Sequence, residues 1–420
     1  VFSPGRYDVL RYVIAGLQQS GFLLVEYDGH TFSPIFTPRP VGSVDDIGLF
    51  IIVPKIAQFF HVTLEQAITL FFYSCAAATL IIGIMSVLFL YWRTWRQILI
   101  GLLSIIGAFL FAWSITRDVQ LMYSFSIIAF LPFFAFCLER GIQSSWLNAV
   151  FFVTGFIFTC INYIRMNATL GITIWLFTSL FLISRKKISI SKKLMLSIIF
   201  FMGSSIPSMY VRRTQFLSDE FLKKEIPNYQ PTAHVHPFWH TIYAGFGFSN
   251  FLNSKDLSVD DRIGLEEASK RHASSIDFSN PYYDHYLKEA VFTLCKEELL
   301  FVLSTIALKA GILLYYILRY ANVALLALYL DFSIKQYLAI IAGLGIYALI
   351  PLLYIPCGAY GLGFITFIQI SSMLIINDFI SNKQNSKKLR RILFLLFLIS
   401  LLLNSVILKL LFGVVIASIK

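Results

Sequence analysis

Residues 68–92 read ITLFFYSCAAATLIIGIMSVLFLYW, an uncharged stretch closed at once by Arg93-Thr-Trp-Arg96. At about 1.5 Å of rise per residue, such a stretch covers the roughly 30 Å of a bilayer's hydrocarbon. A buried helix of a water-soluble domain has no need of that length without a polar face. Similar apolar blocks fall near 98–115, 121–138, 146–162, 168–184, 194–211, 311–330, 336–355, 358–377 and 392–415, with 299–310 expected as a re-entry segment along the interface. The expectation is an all-α polytopic membrane protein with about nine spans.

Composition agrees: 57% of the 420 residues are hydrophobic, only 14% are charged, and the mean hydropathy is +0.74. A water-soluble fold is excluded, because ordinary globular domains carry about 25% charged residues. The net charge of +11 does not argue for nucleic acid, since Lys and Arg gather in short clusters between spans and act there as topology signals. Cys75, Cys137 and Cys160 lie within apolar blocks, so only Cys295 and Cys357 are placed to meet an oxidising compartment, and no disulfide framework is implied. Val1 is followed by polar residues rather than by a signal peptide, which leaves open a helix before it.

The clusters Arg93–Arg96, Arg185–Lys193 and Lys383–Arg391 fall on one face under this count, which the positive-inside rule makes cytoplasmic. Four regions follow: a first extracytoplasmic loop with amphipathic helices (1–66), transmembrane helices (67–211), an extracytoplasmic loop domain (212–297), and a re-entry helix with C-terminal spans (298–420). The loop at 212–297 mixes charges, histidines, aromatics and turn residues such as Asn280-Pro281, as a small folded unit does. Chemistry is expected on that face.

The stretch Asp8-Val-Leu-Arg-Tyr12 sets an acid and a tyrosine four apart on one helical face. An interfacial helix with a capping Asp explains the same pattern. An acidic residue four places before a tyrosine, opening an amphipathic helix in the first outer loop, resembles the GT-C glycosyltransferase superfamily, and the protein O-mannosyltransferases and aminoarabinose transferases in particular. The resemblance implies a polyprenyl-phosphate-linked sugar donor, a glycan, lipid or protein acceptor, membrane lipids around both, and a bacterial inner membrane with the active face outward. It assigns the catalytic carboxylate to Asp8 and a supporting contact to Tyr12.

The motif's usual second acid is Val9 here, so Asp45 and Asp46 of Ser43-Val-Asp-Asp-Ile-Gly48 stand as further catalytic candidates. A base is needed because the acceptor hydroxyl must lose its proton as it attacks the anomeric carbon. The departing phosphate needs a cation. Arg165, in Asn162-Tyr-Ile-Arg-Met-Asn-Ala-Thr, is placed at the outer end of one span, where function and simple snorkelling fit equally. The resemblance favours Lys309 as a lipid-phosphate contact; Arg319 inside an apolar block must snorkel, pair or face a polar cavity, or else it marks the cytoplasmic end of a span shifted towards residue 299.

The string His234-Val-His-Pro-Phe-Trp-His240-Thr-Ile-Tyr243 offers His236, Trp239, His240 and Tyr243 for sugar or lipid-headgroup recognition, aromatic faces stacking and imidazoles donating. A packed loop core explains it as well. His236 and His240 have the spacing of helical metal ligands, yet Pro237 and the lack of a third ligand argue against a divalent metal, and no cofactor is required. Tyr282-Tyr-Asp-His-Tyr286 forms a second polar-aromatic patch, and Asp260-Asp261 reads as a solvated pair. The alternatives to a transferase are a polysaccharide polymerase or ligase, leaning on arginine and histidine, and a transporter or flippase of lipid-linked sugar, for which Arg319 and the many spans speak.

Overall fold

The structure is a computed structural model, and it describes residues 2–27, 38–41, 46–140, 146–182, 188–227, 229, 238–272, 276, 280, 282–330, 334–382 and 384–419. These residues form sixteen helices and one two-stranded ribbon. First in the chain come α1 (Pro4–Ser20), the antiparallel strands β1 (Val25–Tyr27) and β2 (Pro38–Pro40), and α2 (Ile47–Phe60). Then follow α3 (Leu64–Tyr91), α4 (Trp95–Ile115), α5 (Leu121–Arg140), α6 (Trp146–Ile164), α7 (Leu170–Leu182) and α8 (Ile190–Glu225). The loop domain holds α9 (Phe238–Phe246), α10 (Asp261–His272) and α11 (Tyr283–Glu297). The chain ends in α12 (Leu299–Tyr320), α13 (Asn322–Leu330), α14 (Ile334–Leu353), α15 (Leu362–Ser381) and α16 (Lys387–Ile419).

Seven helices among the described residues are long and apolar enough to cross a membrane: α3, α4, α6, α8, α12, the Leu121–Leu138 part of α5, and α15 with the turn that precedes it. This is a multi-pass membrane protein. The expected spans at 168–184 and 336–355 appear as shorter apolar helices, Leu170–Leu182 and Tyr337–Leu353. The expected re-entry segment 299–310 is continuous with the start of the 311–330 block, and that block is broken at Ala321, where α12 gives way to α13.

Local signals set several boundaries. Thr63 and Gln66 close a reciprocal capping box at the start of α3, and the Ser189 side chain caps α8. α5 and α15 are buried on most sides and form the centre, whereas α3, α6, α8 and α12 turn most of their surface outward, as lipid-facing helices do. Since lipid tails are as apolar as leucine, helices here are held by close packing and by polar contacts. Ser124 Oγ lies 2.8 Å from Thr366 Oγ1 between α5 and α15, and Gln97 Nε2 donates to Asn377 O at 2.9 Å between α4 and α15. α6 and α8 run side by side, and a Cβ added at Gly155 would sit 2.0 Å from Phe200 O, so only glycine permits that seam.

Contacts also order the two ends. Trp95 packs on Phe394, Lys192 Nζ donates to Asn148 Oδ1 at 2.7 Å, and Arg390 Nη1 donates to Ile380 O at 3.3 Å, so the basic residues gather at one end of the bundle. The ends of α4 and α6 and the start of α2 meet at the other. α8 runs past the expected end of its span at 211 to Glu225, with Pro207 inside it, and its outer part carries the first outer segment: Ser218 donates to Leu23 O, and Phe221 stacks on Phe22 at 5.0 Å.

Candidate functional site

The end of the bundle away from the basic clusters gathers four charges from four places in the sequence. Asp46 directly precedes α2 and is fully buried, yet its side chain caps no helix nitrogen. Arg6, in the first turn of α1, donates through Nε to Asp46 Oδ2 and through Nη1 to Asp118 Oδ2 at 2.8 Å. Arg165, just past α6, brings Nη1 to 3.5 Å from Asp46 Oδ1. Asp118, 5% exposed between α4 and α5, also accepts from Val119 N at 2.7 Å. Two guanidinium groups thus balance two buried carboxylates, which is the condition under which such charges are tolerated away from water.

Several candidate residues stand apart from this cluster. Asp8 is exposed on α1, and Tyr12, half-buried, accepts from its neighbour Arg11 at 3.3 Å. Asp45 and His236 lie outside the described residues. Asp118 and Arg6 were not singled out by sequence reasoning. The available signal was an Asp directly after an apolar block at its outer end, in Thr116-Arg-Asp-Val119, matching the setting of Arg165.

The two polar-aromatic strings of the loop domain come together. His240 on α9 is buried, with Nδ1 2.7 Å from the Tyr283 hydroxyl and Nε2 3.1 Å from Asp261 Oδ1. Asp261 therefore departs from the expected solvated pair: its side chain is 69% exposed but one oxygen is turned to the histidine, while Asp260 pairs with Arg262. Trp239 is placed by its backbone N–H, which donates to Asp284 Oδ1 at 2.7 Å, and its ring meets Phe292. Tyr243 is buried in the loop-domain core, where burial pushes its phenol up to about 12. Burial also raises the Tyr283 phenol, with Asp261 and Asp284 adding to it. Gly264 lets α10 approach, since a Cβ there would lie 2.5 Å from His240 Nδ1 and 2.7 Å from the Tyr283 oxygen.

Tyr354, just past α14, links the two groups. Burial raises its phenol first of all; Tyr360 and Asp261 raise it further and Arg165 opposes them, which places Tyr354 within electrostatic reach of both the loop domain and the charge cluster. Beside it, Lys309 is only 1% exposed, with Nζ 3.3 Å from Leu353 O and over the Phe246 ring at 6.0 Å. Lys309 thus ties α12 to the seam between α14 and the loop domain. Arg319 lies elsewhere, half-buried in the last turn of α12 and bonded to Asn404. A groove of about 530 Å³ opens between α1, α2 and α3, lined by Arg11, Leu17, Pro54, Gln58 and His61. It follows the far half of α2, at least about 12 Å along the helix from Asp46.

The arrangement can take up a proton at a buried carboxylate, hold an anion between two guanidinium groups, and present imidazole and aromatic surfaces nearby. Among the described residues no three His, Cys, Asp or Glu side chains gather as a metal site, and the five cysteines are free. Comparison with known protein families, with curated proteins and with solved structures finds no match.

Proposed function

We propose that the protein is a GT-C-type glycosyltransferase that moves a sugar from a polyprenyl-phosphate donor to a glycan, lipid or protein acceptor at the extracytoplasmic face of a bacterial inner membrane. The observation that carries this reading is the buried Asp46 held between Arg6 and Arg165 at the end of the bundle where the loop domain docks. Of the two candidate carboxylates among the described residues, Asp8 and Asp46, Asp46 is the one buried beside cations, so it is our choice for the base.

Arg6 and Arg165 turn to the donor's phosphate, which frees Asp46 to accept a proton. The acceptor hydroxyl attacks the anomeric carbon, its oxygen forms the new glycosidic bond, and its proton passes to Asp46. The bond from the anomeric carbon to the phosphate oxygen breaks, and the polyprenyl phosphate leaves with that electron pair, its charge held by the guanidinium groups. One displacement without an enzyme nucleophile inverts the anomeric centre. Asp118 keeps Arg6 in place, and in this reading His240, Trp239 and Tyr354 serve the sugar hydroxyls.

The test is reconstitution with lipid-linked sugars from the host, following lipid-phosphate release and glycan transfer in wild type, Asp46→Asn and Asp8→Asn. Transfer abolished in Asp46→Asn, with folding intact and Asp8→Asn active, is the expected result. Loss in Asp8→Asn alone would move the base to α1. Sugar-lipid crossing between leaflets with no new glycosidic bond would replace the transferase with a transporter.

A further inference from the structure

Arg319 stands at mid-depth in the bundle. Counting from Trp95 at the basic end, Ser104 lies about 14 Å along α4, with Ile115 about 16 Å beyond it. Ser104 lines a small cavity together with Gln369 of α15, Ser400 and Asn404 of α16, and Tyr320. The register of the helices agrees, since Trp95 meets Phe394 and Gln97 meets Asn377, so Asn404 and Gln369 fall at the level of Ser104. Arg319 adjoins this cavity: its Nε donates to Asn404 Oδ1 at 3.3 Å, and Asn404 Nδ2 donates back to Arg319 O at 3.4 Å.

A guanidinium at this depth is costly unless compensated. Nη1 is used by the Tyr315 hydroxyl at 2.8 Å, but Nη2 is buried with no hydrogen-bond partner, and among the described residues no carboxylate pairs with Arg319. The carbonyls that end α12 offset part of the charge. Two cavity-lining groups, Ser104 Oγ and Gln369 Oε1, also lack partners, and Ser104 is only 3% exposed. Of the polar liners, Ser104 has an O–H to turn inward and Gln369 can present its amide N–H, whereas Ser400 donates to Asn322 Oδ1 at 3.0 Å and both ends of the Asn404 amide are engaged by Arg319. The cavity measures about 50 Å³. That exceeds the ~10–15 Å³ one water needs and leaves no room for a lipid headgroup.

We infer that this cavity is a binding site for a small monovalent anion of the halide class, held by Arg319 with Ser104 and Gln369, that neutralises the charge at the α12–α13 break. The site is independent of the transferase reading, because it lies below the Asp46 cluster and shares no residue with it. The bound anion completes the polar seam joining the broken helix to α4, α15 and α16. Chloride therefore stabilises the fold by binding the native state alone.

The experiment measures thermal unfolding of the purified full chain in detergent while chloride replaces gluconate at constant ionic strength. Wild type shows a saturable rise in Tm of about 2 °C or more. Arg319→Gln shows none, Ser104→Ala reaches saturation at higher chloride, and Arg117→Gln, outside the site, behaves as wild type. A wild-type Tm that ignores chloride, or an equal rise in Arg319→Gln, means the cavity holds water only and overturns the site. Should Arg319→Gln fail to fold, the Ser104→Ala titration decides: an unchanged midpoint overturns it.

Discussion

Arg6 Nη1 donates to Asp118 Oδ2 at 2.8 Å, so a guanidinium on the first helix secures a carboxylate at the outer end of α4 while its Nε holds Asp46. One planar fork serving two buried acids is a task for arginine alone.

Arg6→Lys therefore keeps the charge and loses the bridge. A single ammonium reaches one carboxylate, and the other is left buried with less compensation, at a cost of about 1–3 kcal/mol. The expected outcome is a lower Tm together with loss of transfer activity of tenfold or more; Arg11→Lys, on the exposed face of the same helix, changes neither. Scanning fluorimetry and the reconstituted transfer assay read both effects.

Tyr283→Phe removes the hydroxyl that meets His240 Nδ1 at 2.7 Å. The buried imidazole loses this hydrogen bond, which costs about 1–3 kcal/mol. Hydrogen exchange should quicken across α9, α10 and α11 and stay unchanged in α5 and α15, because the loop domain has its own apolar core.

Gly264→Ala drives a methyl into the space between His240 and Tyr283, both within 2.7 Å of the new carbon. Overpacking of a tight contact costs about 1–3 kcal/mol. This variant should match Tyr283→Phe in hydrogen exchange, and the double variant should fall short of the sum, since both changes strike the same contact.

Tyr243 ties loop-domain stability to alkaline pH. Its folded pKa is raised to about 12 by burial, so it binds its proton more tightly folded than unfolded. The stability it contributes is full below the unfolded value of about 10 and is lost as pH rises through the folded one. Tyrosinate absorbance near 295 nm should rise together with loop-domain opening in that window, and Tyr243→Phe should flatten the dependence of opening on pH.

The sequence was most legible where one physical rule dominated. Uncharged blocks closed by Arg or Lys marked spans, because hydrocarbon tolerates neither charge nor open backbone. Arg165 stood out as a charge at the end of a block, and it does face a buried carboxylate. Asp8 fitted a motif by spacing, but spacing along one helix says nothing of which carboxylate a guanidinium from another segment will reach. The Arg6–Asp46–Asp118 arrangement joins residues far apart in the chain, and only tertiary packing creates it. The union of His240 with Tyr283 and Asp261 was hidden for the same reason, although each string was conspicuous alone. The break at Ala321 falls just past Arg319, the one charge in that block and the residue at which a span shifted towards 299 would end, though no proline or glycine marks it.

Pro207 has a mechanical consequence for the whole outer surface. It lacks the N–H that would bond back along the helix, and it sits close to where α8 leaves its seam with α6. Beyond it the helix runs on to Glu225 for about 27 Å, carrying Leu23 and Phe22 with it. A swing of about 5° at Pro207 would move the tip of this lever by about 2 Å. The first outer segment, and Arg6 at its root, can thereby shift against the carboxylates while the spans stay still.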